Sequence, residues 1–133
     1  MIDMARPASK YPTELELEIL KVLWRIGPAP VRVVRDELVG FRVLAYTSVM
    51  TILNIMVNKG YLTRKKDGAS FRYRTKIRQK STTWRMLWDL VDRAFDGSAS
   101  AAMVNLLEAG ELGDDEIASI RKLLDSHASR NKT

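Results

Sequence analysis

The chain has no cysteine and a single histidine in 133 residues. Without thiols it can form no disulfide, no thiolate metal site and no cysteine nucleophile. His127 stands in a polar C-terminal stretch, where a solvated side chain is a better reading than a ligand or general base. No apolar run approaches the ~20 residues needed to cross a bilayer, because Lys21, Arg25 and similar charges interrupt every candidate. The opening MIDMARPASKYP lacks the apolar centre of a signal peptide. P-loop, dinucleotide and nucleophile-elbow motifs are missing as well. These absences argue against an enzyme, a metal or cofactor protein and membrane insertion, and leave a cytoplasmic protein as the expectation. Glycine (7) and proline (4) are scarce and 46% of residues are hydrophobic, so the chain is expected to fold.

Acids are also scarce where bases are dense. Between Lys59 and Lys80 nine residues are basic and only Asp67 is acidic. Residues 1–80 carry sixteen Lys and Arg against seven Asp and Glu, whereas residues 81–133 carry six against nine. The formal charge of +6 therefore hides a basic part, suited to a polyanion, and a mildly acidic part that would not touch it.

The first ten residues read as a mobile basic lead. Thr13 followed by Glu16 is a capping-box signature. Leu15, Ile19, Val22, Leu23 and Ile26 then recur at helical spacing until Gly27-Pro28, with Trp24 at the edge of the stripe. Pro30 fits the entry to a second short helix, about residues 31–39, whose stripe is Val31, Val34 and Leu38. A third helix is expected from about Thr47 to Asn58. At about 100° per residue, Val49, Ile52, Leu53 and Met56 gather on one face. Thr47, Ser48, Met50, Thr51, Asn54, Ile55 and Asn58 gather on the other. Short hydroxyls, an amide and methyl groups are what a helix needs to approach base edges closely. An ordinary half-buried helix would satisfy the same pattern.

Two β-prone runs, YLTRKK and SFRYRT, flank Asp67-Gly68-Ala69, and Asp-Gly is a strong hairpin signal. Alternation sets Phe71 and Tyr73 on one face, sealing the hairpin to the helices. Ser70, Arg72 and Arg74 fall on the other face, where cations can reach phosphates. The expected fold is mainly α with a small β-hairpin: a winged helix-turn-helix domain over residues 1–80, followed by a helical region over residues 81–133.

In that second region Trp84, Leu87, Trp88, Val91 and Phe95 repeat at helical spacing. An apolar segment with Met103 and Leu107 follows, and then one with Ile117, Ile120 and Leu124. About fifty residues in three helices cannot bury so much apolar surface alone. A homodimer in which these helices interlock is the expectation, against the alternative that they fold back on their own chain.

From Thr13 to Asp125 the chain resembles the penicillinase-repressor family, which includes β-lactamase and methicillin-resistance repressors and copper-responsive relatives. The strings that carry the likeness are TELELEILKVLW, the Gly27-Pro28-Ala29 turn, AYTSVMTIL with NKGYL, the wing KKDGASFRYR, and DGSASAAMVNLLEAGELGDDEIASIRKLLD. The resemblance implies a dimeric winged-helix repressor on an inverted-repeat DNA operator. By position it assigns DNA contact to Tyr46, Thr47, Ser48, Met50, Thr51 and Asn54, with support from Arg64, Lys65, Lys66, Ser70 and Arg72 in the wing. It also implies a cut at Asn105-Leu106 by a membrane sensor protease as one route of induction. The cysteines of copper-responsive relatives are lacking here. Pro30, Ile55 and Gly113 depart from the residues usual at their positions, and Ile55 bears on which operator is preferred. Two other functions fit the composition: a winged-helix regulator answering a small ligand, and a winged-helix module that binds another protein.

Overall fold

In a computed structural model that describes residues 11–131, Thr13 and Glu16 form the capping box in full. The Glu16 backbone N–H donates to Thr13 Oγ1 at 3.2 Å, and the Thr13 N–H donates to Glu16 Oε1 at 2.9 Å. The basic lead expected over the first ten residues lies outside the described part. Helix α1 (Glu14–Ile26) ends at Gly27, whose φ of 84° is open to glycine at little cost and whose N–H donates to the Leu23 carbonyl. The chain then makes a two-residue strand β1 (Ala29–Pro30), helix α2 (Val31–Glu37), helix α3 (Tyr46–Asn58), strands β2 (Leu62–Asp67) and β3 (Ser70–Thr75), and helices α4 (Gln79–Ala94), α5 (Ala99–Glu108) and α6 (Asp114–Asn131).

The sheet is antiparallel with order β1-β3-β2. Strand β1 was not legible in two residues. It forms because Ala29 and Pro30 fall opposite Tyr73 and Arg72 on the open edge of β3. Proline is tolerated there because an edge position needs no ladder donor. In the β2–β3 hairpin Asp67 pairs with Ser70, so the two-residue loop is Gly68-Ala69. Gly68 takes φ 66° at the first loop position, as a type II′ turn requires.

Two compact units divide at Met86/Leu87, inside α4. The core of the first is built from Ile19, Leu20 and Leu23 of α1, Val34 of α2, Val49, Leu53 and Met56 of α3, and Leu62 and Tyr73 of the wing, together with Leu38 just after α2. Leu20 was outside the stripe expected for α1, yet it is fully buried because α1 is packed on more than one side. Trp24 lies at the edge of this core and donates its indole N–H to the Ile77 carbonyl at 3.0 Å, anchoring the segment after the wing.

Glu16 is also buried. Its second oxygen accepts from Lys59 Nζ at 2.8 Å, joining the start of α1 to the residue after α3. Lys59 lies over the Tyr61 ring at 5.9 Å. Burial raises the Tyr61 phenol above its ordinary value; the Glu16 charge adds to this and Lys59 opposes it. The phenol therefore remains neutral throughout the physiological range.

In the second unit Ser98 caps α5, its Oγ accepting from the Ala101 N–H at 3.1 Å. The Gly113 N–H donates to Glu116 Oε1 at 3.3 Å, so the last helix retains half of a capping box without a side chain at that position. Asp114, Asp115 and Glu116 occupy its first turn, where the helix dipole favours acids. Val91 alone is buried among the described residues of this unit, while Leu87, Leu106, Leu107, Leu123 and Leu124 are each more than half exposed.

Glu16→Ala removes both the capping oxygen and a buried partner of Lys59. It should lower the unfolding free energy in urea by about 3 kcal/mol. Glu16→Gln keeps the capping oxygen and should cost clearly less. Equal losses for the two variants, or none for alanine, would refute the role given to the pair.

Candidate nucleic-acid interface

Helix α3 is thirteen residues long, about 20 Å at 1.5 Å per residue, and fits a groove about 12 Å wide. Val49, Leu53 and Met56 admit no solvent, which sets the roll of the helix. Tyr46, Thr47, Ser48, Met50, Thr51 and Ile55 consequently lie on its exposed side, and Asn54 is half-buried at the border with the wing. Nothing acidic falls on α3. The surface is small, neutral and without long charged side chains of its own.

Two side chains on this surface are already engaged. Thr51 Oγ1 donates to the Thr47 carbonyl at 2.9 Å, leaving its methyl group and an acceptor lone pair outward. Asn54 Oδ1 accepts from Arg64 Nη1 and from the Tyr73 hydroxyl, both at 2.8 Å. The Arg64 guanidinium also stacks 4.4 Å from the Phe71 ring centre.

The register of the hairpin decides which cations act together. Leu62 and Tyr73 point into the core, so Arg64, Lys66 and Phe71 share their face by alternation. Thr63, Lys65, Ser70, Arg72 and Arg74 take the opposite face, where Pro28, Thr63, Lys65, Arg72 and Arg74 line a shallow cavity of about 250 Å³. The five wing residues expected at one interface therefore occupy two faces. Phe71 is 37% exposed and covers Arg64 near the hairpin tip instead of sealing the wing, so that expectation holds for Tyr73 and fails for Phe71. Arg72 lies 3.6 Å from Asp67 and donates to the Pro28 carbonyl at 3.4 Å. Lys65, Lys66 and Arg74 form no ion pair among the described residues, which leaves their charge available to an external anion.

Arg42 and Val43 were not singled out in the sequence. Both lie in the turn between α2 and α3, with Val43 79% exposed and Arg42 5.2 Å from the Phe41 ring centre. The tie from Arg64 to Asn54 was not legible either, because it depends on the hairpin register. No group of three or more His, Cys, Asp or Glu close enough to hold a metal occurs among the described residues.

Helix α3 packed on α2 in a core shared with α1, followed by a hairpin that is tied to its side, defines a winged-helix protein. A family model described as the penicillinase repressor matches residues 12–126. The chain belongs to the penicillinase repressor family. It is 33% identical over 113 residues to the transcriptional regulator BlaI of Mycobacterium tuberculosis, covering 84% of this chain and 80% of the relative. With the penicillinase repressor of Bacillus licheniformis it shares 26% identity over 120 residues, covering 90% and 94%. A solution structure of the monomeric form of Bacillus licheniformis BlaI in complex with the blaP half-operator superposes with a TM-score of 0.44 at 25% identity, covering 60% of this chain and 92% of that one.

If the hairpin is tied to α3 through Asn54, Tyr73→Phe should lower the unfolding free energy by about 1 kcal/mol, since Asn54 Oδ1 loses the hydrogen bond that the Tyr73 hydroxyl donates. Chemical denaturation measures this, and an unchanged midpoint and slope would contradict the tie.

Proposed function

We propose that the chain is a sequence-specific DNA-binding repressor that acts as a homodimer on an inverted-repeat operator. The observation that carries this reading is the exposed side of α3, made of Thr47, Ser48, Met50 and Thr51, with unpaired lysines on the hairpin beside it. Family membership supports it, since the relatives are named as repressors and transcriptional regulators. Hydroxyls, methyls and one amide would meet base edges in the major groove, while Lys65, Lys66 and Arg74 would meet phosphates. Arg64 and Arg72 are held by other groups and contribute less to phosphate binding.

The dimer would form through the helical region of residues 81–133. Trp84, Leu87, Met103, Leu107, Ile120 and Leu124 are exposed in a single chain, and a soluble monomer rarely leaves so many large apolar side chains to water. Trp88, Phe95 and Ile117 are partly covered. Val91 is already buried within one chain and is removed from the expected contact set. Among the described residues no helix is long and apolar enough to cross a membrane. A promoter target would place the protein in the cytoplasm. Relief of repression by a sensor protease at Asn105-Leu106 belongs to the same reading. Both side chains are exposed, and the bond lies inside α5, so the helix must unwind locally before it can be cut.

Duplexes selected by the protein from a random pool supply the probe. Thr51→Ala should flatten the preference at a base position. Lys66→Ala should weaken all sequences alike and reduce the slope of log affinity against log salt by about 1. Equal binding to selected and scrambled duplexes would instead favour a protein-interaction module. For the assembly, Leu87→Arg should give a monomer in sedimentation at micromolar concentration, and an unaltered dimer would refute the assignment of the second unit.

A further inference from the structure

Asn54 sits where the exposed side of α3 meets the wing, and its amide is held in one orientation. A guanidinium has donors only, so the Asn54 atom facing Arg64 at 2.8 Å must be the carbonyl oxygen. The Tyr73 hydroxyl donates to that same oxygen at 2.8 Å. Both lone pairs of Oδ1 are therefore occupied. The neighbours are themselves fixed: Tyr73 is 1% exposed in the core, and Arg64 is pinned against Phe71. No buried side-chain nitrogen or oxygen lacks a partner among the described residues, and Asn54 Nδ2 bonds to none of them, so Nδ2 reaches solvent.

We propose that Asn54 is a specificity determinant that donates through Nδ2 to one acceptor on a base edge, and that Arg64 and Tyr73 are positioning residues for it. The inference rests on the DNA-binding reading above. Bidentate pairing of an asparagine with adenine needs Oδ1 to accept from the adenine N6 amino group while Nδ2 donates to N7. Here Oδ1 is taken, so the adenine pairing is closed. Guanine and thymine offer acceptors in the major groove and carry no major-groove amino group of their own, and they are the bases this donor suits. Arg64, which its charge alone would send to a phosphate, instead sets the base preference of a neighbour.

Sites enriched from a random duplex pool by the full chain, followed by relative affinities for every single-base variant, test this. The wild-type chain should prefer guanine or thymine at one position by about 3- to 10-fold over adenine. Asn54→Asp keeps an acceptor for Arg64 and Tyr73 but removes the donor. Its overall affinity should fall through phosphate repulsion, and at that position the preference should collapse or turn toward cytosine, whose amino group donates. The pair Arg64→Leu with Tyr73→Phe removes both donors and releases Oδ1, and adenine should then rise at the same position. An Asn54→Asp profile that is merely the wild-type profile scaled down would overturn the inference. So would a double variant with the wild-type profile. A wild-type chain that enriches no sequence would overturn the DNA-binding reading itself, and this inference with it.

Discussion

The seam formed by Val49, Leu53 and Met56 is sealed from water, and it fixes the roll of α3. A helix has only one rotation that buries a given stripe. Placing these three residues in the core, with α3 packed on α2 and β2, therefore forces Thr47, Met50 and Thr51 to the outside. The Glu16–Lys59 pair ties the end of the same helix to the start of α1. Asn54 ties its side to the hairpin through two hydrogen bonds to one oxygen. Roll, end and flank are each held by a different kind of interaction. The exposed surface is thus presented with little freedom to adapt, as a surface that discriminates between partners requires.

Most of the fold could be read from the residues, because the strongest signals were local. The Thr13–Glu16 capping box, the Gly27 stop and the period of α3 all depend on residues within a few positions of one another. What was missed depends on pairing across the chain. Strand β1 exists only because β3 offers an open edge, and proline gives no sign of a strand on its own. Asp-Gly marked the hairpin within Asp67-Gly68-Ala69, but that Gly68-Ala69 forms the two-residue loop follows only from the register.

The exposed side of α3 was likewise legible by angle, yet the state of its side chains was not. Nothing local announces that Thr51 bonds back to Thr47, or that Asn54 is shared by Arg64 and Tyr73. The wing cations were counted correctly, but counting does not sort them. Alternation along β2 and β3 splits them between two faces, and side-chain contacts engage Arg64 and Arg72 while leaving Lys65 and Lys66 unpaired. The second unit shows the converse. Its helices were clear from apolar spacing, while the burial of Val91 among exposed leucines could be known only from the structure.

Mapping amide chemical-shift changes in the full chain as a selected duplex is titrated in tests the account most directly. The largest changes should fall on Thr47, Ser48, Thr51 and the Asn54 side-chain amide, with smaller ones at Lys65 and Lys66. Changes concentrated on α5 and α6, with α3 unmoved at saturation, would contradict it.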